Sequence, residues 1–364
     1  MRSLISRRNF LATGAAALAT SPAHSEDDAP LRVRAEKHGL YFGCAVQKEQ
    51  FQDIPYMKAV SREANILVPE GELKWPDVHP EPDRYDFTGA DAIAKFAAQN
   101  KMQMRGHTLV WYASNPAWLE VELLEKRNER VLTDHIAAVA GHYRGRMHSW
   151  DVVNEAIDPT QGHPDGLRVK SPWQKAFGSS YIDTAFHAAR EADPNALLFL
   201  NEYDIESASW WFGRRRLALL RLCEKLRARR VPIDAIGIQG HLKAFREPFN
   251  ENIFAEFLSD IRSLGLKFMI TEFDVADIDG PADIAKRDDE VASLTRRFMN
   301  VALDSPASLG VLTWGLSDRY SWLSHPVWGR DYKWPDGQLS RGLPLDSDLQ
   351  RKPMWRAIAN AFRS

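Results

Sequence analysis

The chain has 364 residues, 44% of them hydrophobic and 26% charged, enough for one large domain or two small ones around a sizeable core. A formal net charge of −2 at pH 7, with no basic stripe, excludes a protein that holds polyanions by charge. Beyond the first 25 residues no apolar run is long enough to span a membrane.

Residues 1–25 read as an export signal. Ser6-Arg7-Arg8-Asn9-Phe10-Leu11 is a twin-arginine pattern, followed by a modestly apolar run and Ala23-His24-Ser25 as a small-x-small cleavage site. Cleavage would remove Arg2, Arg7 and Arg8 and no acids, leaving 44 basic against 49 acidic residues. The expectation is a soluble, mildly acidic, monomeric protein delivered to the periplasm or the medium, with residues 26–364 forming one domain.

After a polar lead, 26–38, short β-rich runs alternate with amphipathic helices. The runs are Tyr41–Val46, Asn65–Pro69, Met102–Val110, Met147–Val153, Ala196–Leu200, Ala235–Ile238, Lys267–Thr271 and Leu309–Trp314. Between them the 3.6-residue period predicts helices over Ala90–Gln99, Asp134–His142, Tyr181–Ala192, Trp210–Arg230, Phe254–Leu264, Asp288–Leu303 and Met354–Phe362. Thr88 is expected to cap the first of these, with Asp91 three residues on. Cys44 falls in a strand and Cys223 in a helix, and free thiols are expected. Eight βα units imply a single (β/α)8 barrel; the runner-up, a doubly wound sheet, lacks a glycine-rich phosphate turn. The segment Ser317 to Lys352 after the last strand carries Trp322, Trp328 and Trp334, and a loop of that length is expected to cover or line a site.

Polar and aromatic residues gather at the carboxyl ends of these runs, the end at which such barrels work. They are Glu70, Lys74 and Trp75 after the second run, His107 and Trp111 at the third, and Asn154 and Glu155 at the fourth. Asn201, Glu202 and Tyr203 follow the fifth, Gln239 and His241 the sixth, Glu272 and Asp274 the seventh, with Trp314 closing the eighth. Two strand-end carboxylates, Glu155 and Glu272, are what retaining glycoside hydrolysis requires, at a separation of about 5–5.5 Å.

The segments 150–155 (Trp-Asp-Val-Val-Asn-Glu), 105–111 (Arg-Gly-His-Thr-Leu-Val-Trp), 237–242 (Gly-Ile-Gln-Gly-His-Leu) and 270–274 (Ile-Thr-Glu-Phe-Asp) resemble glycoside hydrolase family 10, the retaining endo-1,4-β-xylanases. Segments 69–75 and 314–322 match the same family in the same order. The resemblance implies Glu155 as acid/base and Glu272 as nucleophile, acting on xylan or xylo-oligosaccharides with no cofactor and no metal. Neighbours are expected to keep Glu155 protonated and Glu272 ionised.

The resemblance further implies that His241 donates to Glu272 and is oriented by Asp274, and that Asn154 binds the 2-hydroxyl at the scissile bond. Glu70, Lys74 and His107 would hold sugar hydroxyls on the non-reducing side, with Gln239 near the reacting ring. Trp111, Trp314 and Trp322 would wall the subsites, and Asn201 and Tyr203 would lie on the leaving-group side. Four positions depart from the family pattern: Gly71 replaces an asparagine, Tyr112 a histidine, Ser114 a glutamine and Leu323 an arginine. All four are expected around the subsites, which leaves the reaction intact and opens a second reading, the same chemistry on short oligosaccharides or another β-1,4-glycan. A non-catalytic sugar-binding barrel and a metal hydrolase barrel fit less well. Both carboxylates are present, and the first strand has no His-x-His pair.

Overall fold

The structure, a computed structural model, describes residues 28–334 and 336–362. The twin-arginine segment and its cleavage site lie outside these residues.

Eight parallel strands close on themselves. They are β1 (Tyr41–Val46), β2 (Ile66–Pro69), β3 (Gln103–Gly106), β4 (Ser149–Asn154), β5 (Leu197–Glu202), β6 (Ala235–Ile238), β7 (Lys267–Ala276) and β8 (Ser308–Thr313). Each pairs with the next, and β8 pairs with β1, so no edge is left open. This is a (β/α)8 barrel. Its strands read as continuous apolar runs because both faces are covered. Ala45, Ile66, Val68, Phe199, Met269 and Leu312 fill the interior, and a larger cluster including Ile136, Phe186 and Phe298 seals the outside against the helices.

The third run is not one strand. It leaves the ladder at His107, a cis peptide joins His107 to Thr108, and Val110–Trp111 rejoins β4 at Val153 and Asn154. The break delivers His107 and Trp111 to the same end of the barrel.

The polar lead contains a helix, Leu31–Lys37, whose first amide, on Leu31, donates to buried Glu63 over 2.9 Å. Helices Ile54–Glu63 and Pro172–Phe177 also lie outside the predicted set; Asp53 caps the first by accepting from Tyr56 N. Thr88 does not cap the helix it precedes in sequence. It is the first helical residue, and Asp86 Oδ1 accepts its amide at 2.9 Å.

Cys44 and Cys223 are free and buried, and burial pushes both thiols up. Among the described residues no helix is long and apolar enough to cross a membrane. The final loop is pinned across its base by Lys352 Nζ, which donates to Asp318 Oδ2 at 2.7 Å.

Candidate active site

Glu155 and Glu272 stand at the carboxyl end of the barrel, each fixed by its main chain to the neighbouring strand. Glu155 N donates to Asn201 O at 2.8 Å, and Glu272 N to Gln239 O at 2.9 Å. Their side chains are joined through two amides. Asn154 Nδ2 donates to Glu155 Oε1 at 3.2 Å, while Asn201 Nδ2 donates to Asn154 Oδ1 at 2.8 Å and to Glu272 Oε1 at 2.7 Å. Gln239 Nε2 donates to Glu155 Oε1 at 3.1 Å.

Asn201 is fully buried, with Thr271 Oγ1 donating to its Oδ1 at 2.7 Å. It therefore sits between Asn154 and Glu272, donating to both. Gly237 makes this possible: a Cβ there would lie 2.0 Å from Asn201 Oδ1.

On the other side of Glu272, Oε2 accepts from His241 Nε2 at 3.3 Å, and His241 Nδ1 reaches Asp274 Oδ1 at 2.9 Å. The short strand His241–Lys243 pairs with the extension of β7 and sets His241 opposite Asp274. Burial works to raise the Glu272 pKa, but the His241 hydrogen bond, the charges of His107 and His241 and the Asn201 donor overcome it and pull it to about 2. For His241, burial acts downward, and the two carboxylates that flank it carry its pKa well above the ordinary value. The result is an imidazolium between two carboxylates.

Lys74 Nζ lies 5.1 Å from the Trp111 ring and 5.8 Å from the Trp314 ring, and His107 meets Trp314 edge-on at 5.4 Å. Glu70 follows β2 at this end; burial raises its pKa while Lys74 opposes. Trp322 faces His241 at 5.3 Å and donates from Nε1 to Asp274 Oδ2 at 2.5 Å. Tyr203 lies beyond Glu155, its hydroxyl accepting from Arg168 Nη2 at 2.9 Å. Lys74, His107, Trp111, Trp314 and Trp322 thus gather with His241 at one end of the barrel.

Of the departures, Gly71 borders open space, since a Cβ there would meet only Asp77 Oδ2 at 3.5 Å. Tyr112 stacks on Arg168, its ring centroid 3.9 Å from the guanidinium carbon. Leu323 is buried inside the final loop, so an arginine is lost there without a leucine entering the cleft. Trp328 is exposed, and Trp334 is packed against Arg287 at 4.0 Å with its Nε1 on Asp277, so of the loop's three tryptophans only Trp322 lines the site.

Asp151 was passed over in the sequence. Fully enclosed in β4, it holds His107 Nδ1 at 3.0 Å and also accepts from Arg105 Nη2. A charge inside an apolar strand must be paired, and that was the signal available.

A closed parallel barrel with two carboxylates in an indole-walled cleft at its carboxyl end defines a barrel glycosidase. The chain belongs to glycosyl hydrolase family 10, whose model matches residues 30–361. It is 35% identical to endo-1,4-beta-xylanase B of Thermotoga neapolitana over 337 residues, 91% of each chain, and 33% identical to a beta-1,4-xylanase of Dictyoglomus thermophilum over 80% of this chain and 82% of that one. Among solved structures it resembles native xylanase 10B from Thermotoga maritima, with a TM-score of 0.81 and 34% identity over 92% of this chain and 98% of that one. Xylanase 10B from Thermotoga petrophila RKU-1 in complex with xylobiose is similar to the same degree, TM-score 0.81 and 34% identity, covering 92% of this chain and 97% of that one.

Proposed function

We infer that Glu272 is the nucleophile and Glu155 the general acid/base of a double displacement at the anomeric carbon. The protein is an endo-1,4-β-xylanase that cleaves internal β-1,4-xylosidic bonds of xylan with retention. Glu272 attacks the anomeric carbon while Glu155 passes its proton to the departing glycosidic oxygen. Glu155, now a carboxylate, takes a proton from the water that attacks the glycosyl-enzyme and releases Glu272.

The observation that carries the assignment is the unequal provision for the two carboxyls. Glu272 has a donor on each oxygen and a pKa pulled to about 2. Glu155 receives only neutral amides from Asn154 and Gln239. In this reading Asn154 binds the 2-hydroxyl; Glu70, Lys74, His107 and Trp111 take the sugars on the non-reducing side; and Trp314 and Trp322 wall the reacting ring.

Replacing Glu272 with alanine should lower turnover roughly 10⁴-fold or more on xylan and on activated aryl glycosides alike. Glu155→Ala should cost about 10²–10⁴-fold on xylan and far less where the leaving group needs no proton. Equal losses on good and poor leaving groups would remove Glu155 from the acid role.

The opening at Gly71 favours a second preference, for short oligosaccharides over polymer, which product profiles on xylan and xylo-oligosaccharides separate. Export by the twin-arginine route is our reading of residues 6–25. The double variant R7K/R8K should then remain in the cytoplasm, and unchanged export would refute it.

A further inference from the structure

Immediately after Glu155 the chain folds back on itself. Ile157 bridges Leu167, Asp158 N donates to Gly166 O at 2.8 Å, and Arg168 N donates to Ala156 O at 2.8 Å. Gly166 is left-handed at φ +74° and approaches Ala218 so closely that a Cβ would sit 2.6 Å from its methyl. This hairpin returns Arg168, 5% exposed, to the base of Glu155. Arg168 Nε donates to the Glu155 carbonyl at 2.8 Å, Nη1 to Asp158 Oδ2 at 3.1 Å, and Nη2 to the Tyr203 hydroxyl at 2.9 Å. One face of the guanidinium lies on the Tyr112 ring at 3.9 Å.

Glu155 itself has φ +60°, in the left-handed region that a residue with a side chain occupies only when its surroundings hold it there. Two main-chain bonds hold it: its amide to Asn201 on the barrel, and its carbonyl to Arg168. We propose that Arg168, clamped between Tyr112 and Tyr203, is a positioning residue that fixes the reach of the Glu155 carboxyl toward the leaving oxygen, with Tyr112 adjusting that clamp in this chain. A general acid works only within hydrogen-bond reach, and a misplacement of about 1 Å costs on the order of 10²-fold. The proposal rests on Glu155 being the acid.

The test is a series of aryl xylobiosides spanning good to poor phenolate leaving groups. It measures kcat/KM for the parent, R168A, R168K, Y112A and E155A, with thermal melts for each. Arg168→Ala should lose about 10²-fold on poor leaving groups and under about tenfold on good ones. Arg168→Lys should fall between parent and alanine. Tyr112→Ala, at a partly exposed position, should show the same leaving-group slope in weaker form with little change in melting temperature. A merely structural Arg168 would lower all substrates equally together with the melting temperature, and that pattern overturns the proposal. Should R168A not fold, a flat Y112A profile overturns it instead. A steep E155A profile beside flat clamp variants sinks the clamp alone, whereas a flat E155A profile sinks the acid assignment and the clamp with it.

Discussion

His241 donates from Nδ1 to Asp274 over 2.9 Å and turns its other nitrogen to Glu272, so one imidazolium lies between two carboxylates. Asp274 completes the chain by accepting from Trp322 Nε1 on its second oxygen, tying the final loop to Glu272.

The pH dependence follows from this chain. Glu272 has its folded pKa at about 2, below an unfolded value of about 4.3, so its contribution to stability is complete above that value and is lost as pH falls toward 2. His241 has its pKa raised, so its contribution is present below about 6.5 and is lost as pH rises through the folded value. Replacing His241 with asparagine removes its charge and its hydrogen bond from Glu272, leaving His107 and Asn201 to oppose burial, and should move the acid limb of kcat/KM to higher pH. A pH–rate profile with an unmoved acid limb would show that His241 does not govern Glu272.

Asn201→Ala removes the donor on Glu272 Oε1 and leaves Asn154 Oδ1 and the Thr271 hydroxyl without their shared partner. Stability should drop by about 1–3 kcal/mol in urea unfolding, with a loss in kcat on all substrates if Glu272 is the nucleophile proposed above.

Gly71→Asn restores the side chain usual in the family at a place where space is open. A single added hydrogen bond to a sugar hydroxyl is worth ~0.5–1.5 kcal/mol, up to about tenfold. KM on xylo-oligosaccharides should fall with kcat nearly unchanged, the mark of uniform binding.

Glu63 joins the two ends of the domain, accepting from Leu31 N at 2.9 Å, Arg351 Nη2 at 2.8 Å and Trp355 Nε1 at 3.1 Å. Glu63→Ala should lower stability by about 3 kcal/mol while leaving KM as it is, checked by denaturant unfolding beside steady-state kinetics.

Much of this was legible in local pattern. The barrel could be read because strands covered on both faces are continuously apolar and their helices keep a 3.6-residue period, both local properties. Leu31–Lys37 was missed because its seven residues are mostly charged and its start is fixed by Glu63, 32 positions on. Thr88 carried the right chemistry for a cap, but Asp86 was better placed to accept its amide.

The sequence by itself determined which end of the barrel carries the two carboxylates, since Glu155 and Glu272 each follow directly on an apolar run and a parallel barrel brings all such ends together. Only the tertiary structure decided who serves them: Asp151 lies 44 positions from His107, Asn201 71 from Glu272, and Arg168 13 from Glu155. Those partners meet because the barrel closes and a hairpin folds back, and a hydrogen bond across such distances leaves no period or spacing in the chain to be read.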